Sequence, residues 1–135
     1  MAEFQSLEEA RTFFSKDLFA SENGITLDSL GAEGSVCSLL LTAHHRNAEG
    51  GVMGGVMATL IDFAFATASS YHHRPTVAQQ ISMSFLNAAK GTRLTARSSC
   101  VKNGRTSCVY HIDVQDDLGT DIAQALVTGF KITGR

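Results

Sequence analysis

Tryptophan is absent from this 135-residue sequence, proline occurs once and cysteine three times. With Pro75 alone to interrupt it, the chain is free to form long regular elements. Cys37, Cys100 and Cys108 are an odd and widely spaced set with no C-x-x-C and no His pair at zinc-finger spacing. That excludes a disulfide framework and a zinc module, and their strand-like neighbours predict reduced, buried thiols rather than nucleophiles. An excess of one charge is also missing: 11 Lys+Arg stand against 13 Asp+Glu, for a formal net charge of −2. Nucleic acid is therefore not an expected partner. The opening residues carry Glu3, Glu8 and Glu9 without the basic start and apolar run of a signal peptide, so a cytoplasmic protein is expected. Residues 51–70 hold one charge, Asp62, yet are rich in Gly, Ala, Thr and Ser. A mid-bilayer carboxylate costs roughly 2.5–3.5 kcal/mol, so the segment is read as a helix inside a folded core, with no membrane partner.

What is present is an ordinary globular composition, 44% hydrophobic and 18% charged. It suits one domain over residues 1–135 with a core large enough to need no staple. Ser6 followed by Glu9, then Ala10, Phe13, Phe14, Leu18 and Phe19, predicts a capped amphipathic helix ending within residues 20–24. Residues 25–30 and 35–41 predict a hairpin about a glycine-containing turn, and residues 44–51 a loop. A central helix is expected from residues 53–56 to about 72, apolar on nearly every face, so protein must cover most of its circumference. Four strands follow, at 76–86, 92–101, 106–115 and 121–132, with Asn103-Gly104 as a hairpin turn. The economical architecture is α+β: a curved antiparallel sheet of about six strands wrapped around one long helix, with a short helix at the N-terminus.

Asp62 is the one residue charged at neutral pH between Glu49 and His72. The residues alone leave two readings open: a carboxylate facing a cleft as base or nucleophile, or one satisfied by hydrogen bonds or set at a subunit interface. Gly50, Gly51, Gly54 and Gly55 precede the helix, where free N–H groups and close backbone approach suit an oxyanion, or simply a turn with tight packing. No Lys-Ser/Thr follows them and no βαβ unit frames them, which excludes a P-loop and a dinucleotide fingerprint. The adjacent pairs His44/His45 and His72/His73 do not have metal-ligand spacing, and no metal is expected. At the helix C-terminus, His72 and His73 suit its dipole.

The run from His45 to Asp62, H-R-N-A-E-G-G-V-M-G-G-V-M-A-T-L-I-D, resembles the signature of the hotdog-fold acyl-CoA thioesterases, in their phenylacetate-pathway (PaaI-type) branch. That pattern is roughly H-x-N-x-x-G-x-x-H-G-G-x-x-x-x-L-x-D, and only Met53, in place of His, departs from it. The likeness extends to Phe13-Phe14-x-Lys16-Asp17, to Ile81-Ser82-Met83-Ser84-Phe85-Leu86 and to the closing strands. It implies a hotdog fold and an obligate dimer joined edge to edge, or a tetramer, with sites at the dimer interface. It implies hydrolysis of an acyl-CoA to a carboxylic acid and free CoA, with no cofactor beyond the coenzyme A of the substrate.

In that reading Asp62 is general base or nucleophile, the Gly54 N–H polarises the thioester carbonyl, and Asn47 reaches the carbonyl or the water, if it is not simply a capping loop residue. Gly54 and Asp62 are about 12 Å apart on one helix, so a site using both takes one from each subunit. Met53 and Gly55 would flank the substrate. Ala78 falls where relatives carry a water-orienting Ser or Thr, for which Gln79 or Gln80 would substitute. Of the basic residues Lys90, Arg93, Arg97, Lys102 and Arg105, the last is assigned to the CoA phosphates. Phe63, Phe65, Tyr71, Met57 and Met83 are core residues or acyl-pocket walls. The competing readings are a hotdog hydratase, for which a His is missing, a non-hydrolytic acyl-CoA or aromatic-ligand binding protein, supported by Met53 and Ala78, and a purely structural interaction protein.

Overall fold

The computed structural model describes residues 2–134. Two short helices, α1 (Leu7–Phe14) and α2 (Leu18–Glu22), lead into the hairpin β1 (Ile25–Gly31) and β2 (Gly34–Leu40). A 3-10 turn at Ala43–His45 precedes the long helix α3 (Gly54–His72). Then come β3 (Thr76–Phe85), β4 (Arg93–Asn103), β5 (Ser107–Asp116) and β6 (Asp121–Lys131). All strand pairs are antiparallel, in the order β1-β2-β4-β5-β6-β3. The sheet wraps α3, which touches every strand. This is the hotdog arrangement expected above.

The reason is legible in α3. Met57, Leu60, Ile61, Phe63, Ala64, Phe65 and Ala68 are buried and meet Leu39, Leu94, Tyr110, Ile112, Val114 and Val127 from the sheet. Each large side chain so covered contributes about 1.5–3 kcal/mol. Three buried hydroxyls tie helix to sheet. Ser35 Oγ donates to the Ala64 carbonyl at 2.9 Å, accepts from Thr67 Oγ1 at 2.9 Å and lies 2.9 Å from Ser98 Oγ.

Two local expectations need correction. The N-terminal helix is broken in two, because Ser15 Oγ turns back to the Thr12 carbonyl at 2.6 Å and Asp17 opens a new turn. The break puts Asp17 at the head of α2 instead of on a continuous amphipathic face. Asn103-Gly104 is not a two-residue turn either. An irregularity between Cys100 and Lys102 shifts the register, Asn103 pairs with Cys108 inside the ladder, and Gly104 N–H donates to the Ser107 carbonyl at 2.8 Å. The turn residues are therefore Arg105 and Thr106, two positions later than Asn-Gly chemistry predicts.

No helix among the described residues is long and apolar enough to cross a membrane.

Candidate active site

Around α3 one stripe is left less covered than the rest. Gly55, Thr59, Asp62 and Ala66, spaced 4, 3 and 4 residues apart, share a helix face, with Gly55 and Asp62 exposed and Thr59 and Ala66 half-buried. Asp62 thus sits in the middle of the open stripe of a helix buried elsewhere. It lines a cavity of about 290 Å³ with Asp17, Leu18, Phe19, Thr59 and Phe63. Burial on its packed side raises the Asp62 pKa, and the negative charge of Asp17 raises it further.

A second cavity, of about 270 Å³, adjoins the first through shared walls at Phe19 and Thr59. Met53, Gly55, Val56 and Leu39 line it. Met53 is the N-cap of α3, half-exposed, in extended conformation and without a side-chain capping bond. Gly54 opens the helix, where N–H groups have no intrahelical partner. A Cβ on Gly54 would meet the Phe85 ring, whereas one on Gly55 would meet nothing within 4 Å, so Gly55 faces open space.

Asn47 organises the loop that delivers this helix start. Its Oδ1 accepts from the Glu49 and Gly51 N–H groups, both at 3.0 Å, and its backbone N–H donates to the Gly51 carbonyl at 2.7 Å. The side-chain carbonyl is therefore committed to the loop, and the Nδ2 group is left to reach outward. His45 is buried beneath the loop. Its Nδ1 accepts from the Thr42 N–H at 2.9 Å and its Nε2 donates to the Asn23 carbonyl at 2.8 Å. Its own carbonyl accepts from Met53 N–H at 2.9 Å. His45 is a hub that holds the start of α3 in place.

Other expected site residues lie apart. Gln79 and Gln80 are exposed on β3, where a shift between Ala78 and Gln80 makes Gln79 the bulged residue. Arg105 is exposed in the β4–β5 turn. The five basic residues are not one patch: Arg93 begins β4 and Lys102 lies nine positions on, about 30 Å along an extended strand. His72 and His73 donate to the carbonyls of Ala32 and Ile132, at 2.9 and 2.8 Å, which accounts for both more directly than the helix dipole. Among the described residues no three His, Cys, Asp or Glu are grouped to hold a metal ion. Asp17 was missed as a site residue. The helix break that places it rests on the Ser15 hydroxyl bond, and Ser15-Lys16-Asp17 offers only a weak signal of it.

Comparison with known proteins decides what this helix and its carboxylate belong to. Residues 49–123, more than half of the chain, match the family model described as "Thioesterase superfamily". The chain belongs to the thioesterase superfamily. It is 28% identical over 108 residues to the acyl-coenzyme A thioesterase PaaI of Escherichia coli, covering 79% of this chain and 77% of that one. The solved structure of the E. coli PaaI protein superposes with a TM-score of 0.88 at 25% identity, over 94% of this chain and 93% of that one. A point variant of the phenylacetic acid degradation protein PaaI from Thermus thermophilus gives 0.80 at 27% identity, over 86% and 100%. A protein of Archaeoglobus fulgidus is 30% identical over 95 residues, 70% of this chain and 62% of its own length. Within the superfamily the likeness is to the PaaI-type hotdog proteins.

Proposed function

We propose that this chain hydrolyses an acyl-CoA thioester to a carboxylic acid and free CoA. The observation that carries the reading is Asp62: one carboxylate on the open stripe of a buried helix, lining a cavity that adjoins, through Phe19 and Thr59, the one at the helix start. A carboxylate raised in proton affinity is a better base near neutral pH. In the step proposed, Asp62 removes a proton from water as the water oxygen adds to the thioester carbonyl carbon. The carbonyl electron pair moves to oxygen, where the Gly54 N–H stabilises it. On collapse the C–S bond breaks, and the thiolate takes the proton from Asp62. No cofactor beyond the substrate's own coenzyme A enters this scheme.

Gly54 and Asp62 are too far apart along α3 to meet on one carbonyl, so the site is proposed to form across a homodimer. β3 supports this. It is an edge strand of ten residues without a charge or an internal proline, and Val77, Ile81 and Phe85 on it are exposed. Edge strands of lone chains are ordinarily blunted by charge or proline. The other edge, β1, is shorter and carries Asp28 and a register shift. Gly55 and Met53 are assigned to the thioester channel, Asn47 Nδ2 to the carbonyl or water, Gln79 or Gln80 to water orientation and Arg105 to the CoA phosphates.

The test is free-thiol release from a panel of aromatic and aliphatic acyl-CoAs. Asp62→Asn is expected to lower turnover by about a hundredfold or more, and Met53→His to raise it, since an imidazole supplies a donor that methionine lacks. Tight binding of an acyl-CoA with no turnover by any of the three proteins would replace hydrolysis by ligand binding.

A further inference from the structure

Asp17 occupies the N-cap position of α2, yet its side chain makes no capping hydrogen bond. A carboxylate there ordinarily accepts from an N–H of the first turn. Instead it lines the cavity that holds Asp62, and the polar side chains of that cavity are Asp17, Asp62 and Thr59. The Thr59 hydroxyl is committed to the Gly55 carbonyl at 2.8 Å. Among the described residues no cation lines the cavity.

The charges on the elements around α3 leave this pairing unbalanced. Beyond Phe63 the adjoining cavity brings Arg11 and Asp28. Arg11 is spent on the Glu8 carboxylate at 2.9 Å and the Leu27 carbonyl at 2.8 Å. Lys16, next to Asp17 in sequence, is exposed and lies over the Phe13 ring at 5.8 Å; on α2 the other acid, Glu22, is exposed, and β3 carries no titratable group. From β2 and β5 the inward-facing Cys37, Cys108 and Tyr110 are raised in pKa by burial and stay neutral near pH 7. On β4 and β6, Arg93, Arg97 and Lys102 are exposed, as is Asp121, and Lys131 is half-buried. None of these lines the cavity of Asp62.

Resting on the reading of Asp62 as the hydrolytic base, we propose that Asp17 is a positioning residue of this reaction: its carboxylate, left without a capping bond and lining the same cavity as Asp62, favours passage of the proton from the attacking water to Asp62. Two carboxylates in one partly apolar cavity resist simultaneous ionisation. Burial raises the pKa of Asp17 as well as that of Asp62. When Asp62 takes the proton from the attacking water, the repulsion between the two is relieved at the moment of bond formation, and an interaction that improves on the way to the transition state accelerates the step. Asp17 touches neither substrate nor water in this scheme, and the proton passes from water to Asp62 and on to the departing sulfur.

The experiment compares the unmodified chain with its Asp17→Asn variant, which keeps a residue suited to an N-cap and the bond from Ser21 N–H to the residue-17 carbonyl. The Asp62 carboxyl is titrated by NMR with ¹³C-labelled aspartate, and kcat and KM are followed against pH. In Asp17→Asn the Asp62 midpoint is expected to fall by about half a unit or more, about threefold in proton affinity. The acid limb of kcat/KM moves the same way, while the plateau kcat drops a few-fold with KM unchanged. An Asp62 midpoint and a plateau that both stay in place in the folded variant overturn the proposal. Should Asp17→Asn lose the fold by circular dichroism, Asp17→Ser, another N-capping residue, is put through the same titration. The two readings fail separately: the NMR midpoint reports on Asp17 whether or not a thioester is cleaved, and full turnover by Asp62→Asn refutes the thioesterase mechanism whatever Asp17 does to that midpoint.

Discussion

The Phe85 ring, on the edge strand β3, lies 3.2 Å from the point where a Cβ on Gly54 would stand. Gly54 is thus the residue that lets the first turn of α3 and the end of β3 meet closely. In Gly54→Ala the ring must give by a few tenths of an ångström, and because Phe85 is 54% exposed it has room to do so. The fold is expected to survive at a cost below about 1 kcal/mol. Thioester hydrolysis is expected to fall on the order of tenfold, as the methyl group crowds the N–H that receives the carbonyl oxygen. Paired thermal melts and thiol-release kinetics separate the two effects, and a stability loss as large as the activity loss would contradict this account.

The hydroxyl cluster of Ser35, Thr67 and Ser98 fastens α3 to the sheet. Ser35→Ala removes the bond to the Ala64 carbonyl and two hydroxyl contacts, while Thr67 keeps the Phe63 carbonyl and Ser98 keeps the residue-35 backbone. A loss of about 1–2 kcal/mol is expected, read as a Tm lower by about 2–6 °C. An unchanged Tm would show the cluster to be incidental to stability.

Asp116 governs the acid limit of the fold. It is buried, and burial works to raise its pKa, but N–H bonds from Lys90, Thr120, Gly91 and Leu118 at 2.8–3.0 Å overcome this and hold it well below the ordinary carboxylate range. A lowered folded pKa contributes stability that is complete above the unfolded value of about 4 and is lost as pH falls from there toward the folded one. Asp116→Asn, which turns an NH₂ toward two N–H donors, is expected to lower Tm at pH 7. Its Tm should also fall less steeply than that of the unmodified protein between about pH 4 and 2. Parallel curves would contradict the assignment. Asp117, held low by the backbone N–H groups of Arg93 and Thr92, still titrates in the variant, so the slope shrinks without vanishing.

Much of this arrangement is legible in the sequence because its signals are local and periodic. The nearly all-apolar circumference of α3 announces a helix that something must enclose, and the alternation of Cys108, Tyr110, Ile112 and Val114 announces a sheet with one covered face. Asp62 stands out by contrast with its neighbours. What sequence reasoning misses depends on tertiary register or on single bonds. One irregularity at Val101 moves the β4–β5 turn off Asn103-Gly104, and the Ser15 hydroxyl divides the first helix. Residues near each other in sequence, Arg93 and Lys102, are carried apart by the strand between them. Residues 45 positions apart, Asp17 and Asp62, come to share a cavity because α2 packs on α3.

The measurement that tests the central claim most directly is complementation between two inactive chains. One carries Asp62→Asn. The other carries Gly54→Pro, which deletes the N–H at the first helical position, where proline is tolerated and where Met53 already has the extended conformation a following proline requires. The two chains, separately tagged, are mixed through unfolding and refolding, and the mixed dimers are isolated and assayed for thiol release. If each site joins Asp62 of one subunit to Gly54 of the other, a mixed dimer contains one intact site, and its activity should return to about half of the unmodified value while both parent proteins stay near the limit of detection. Mixed dimers as inactive as their parents would show that Asp62 and Gly54 do not work across the interface, and the proposed site would have to be abandoned.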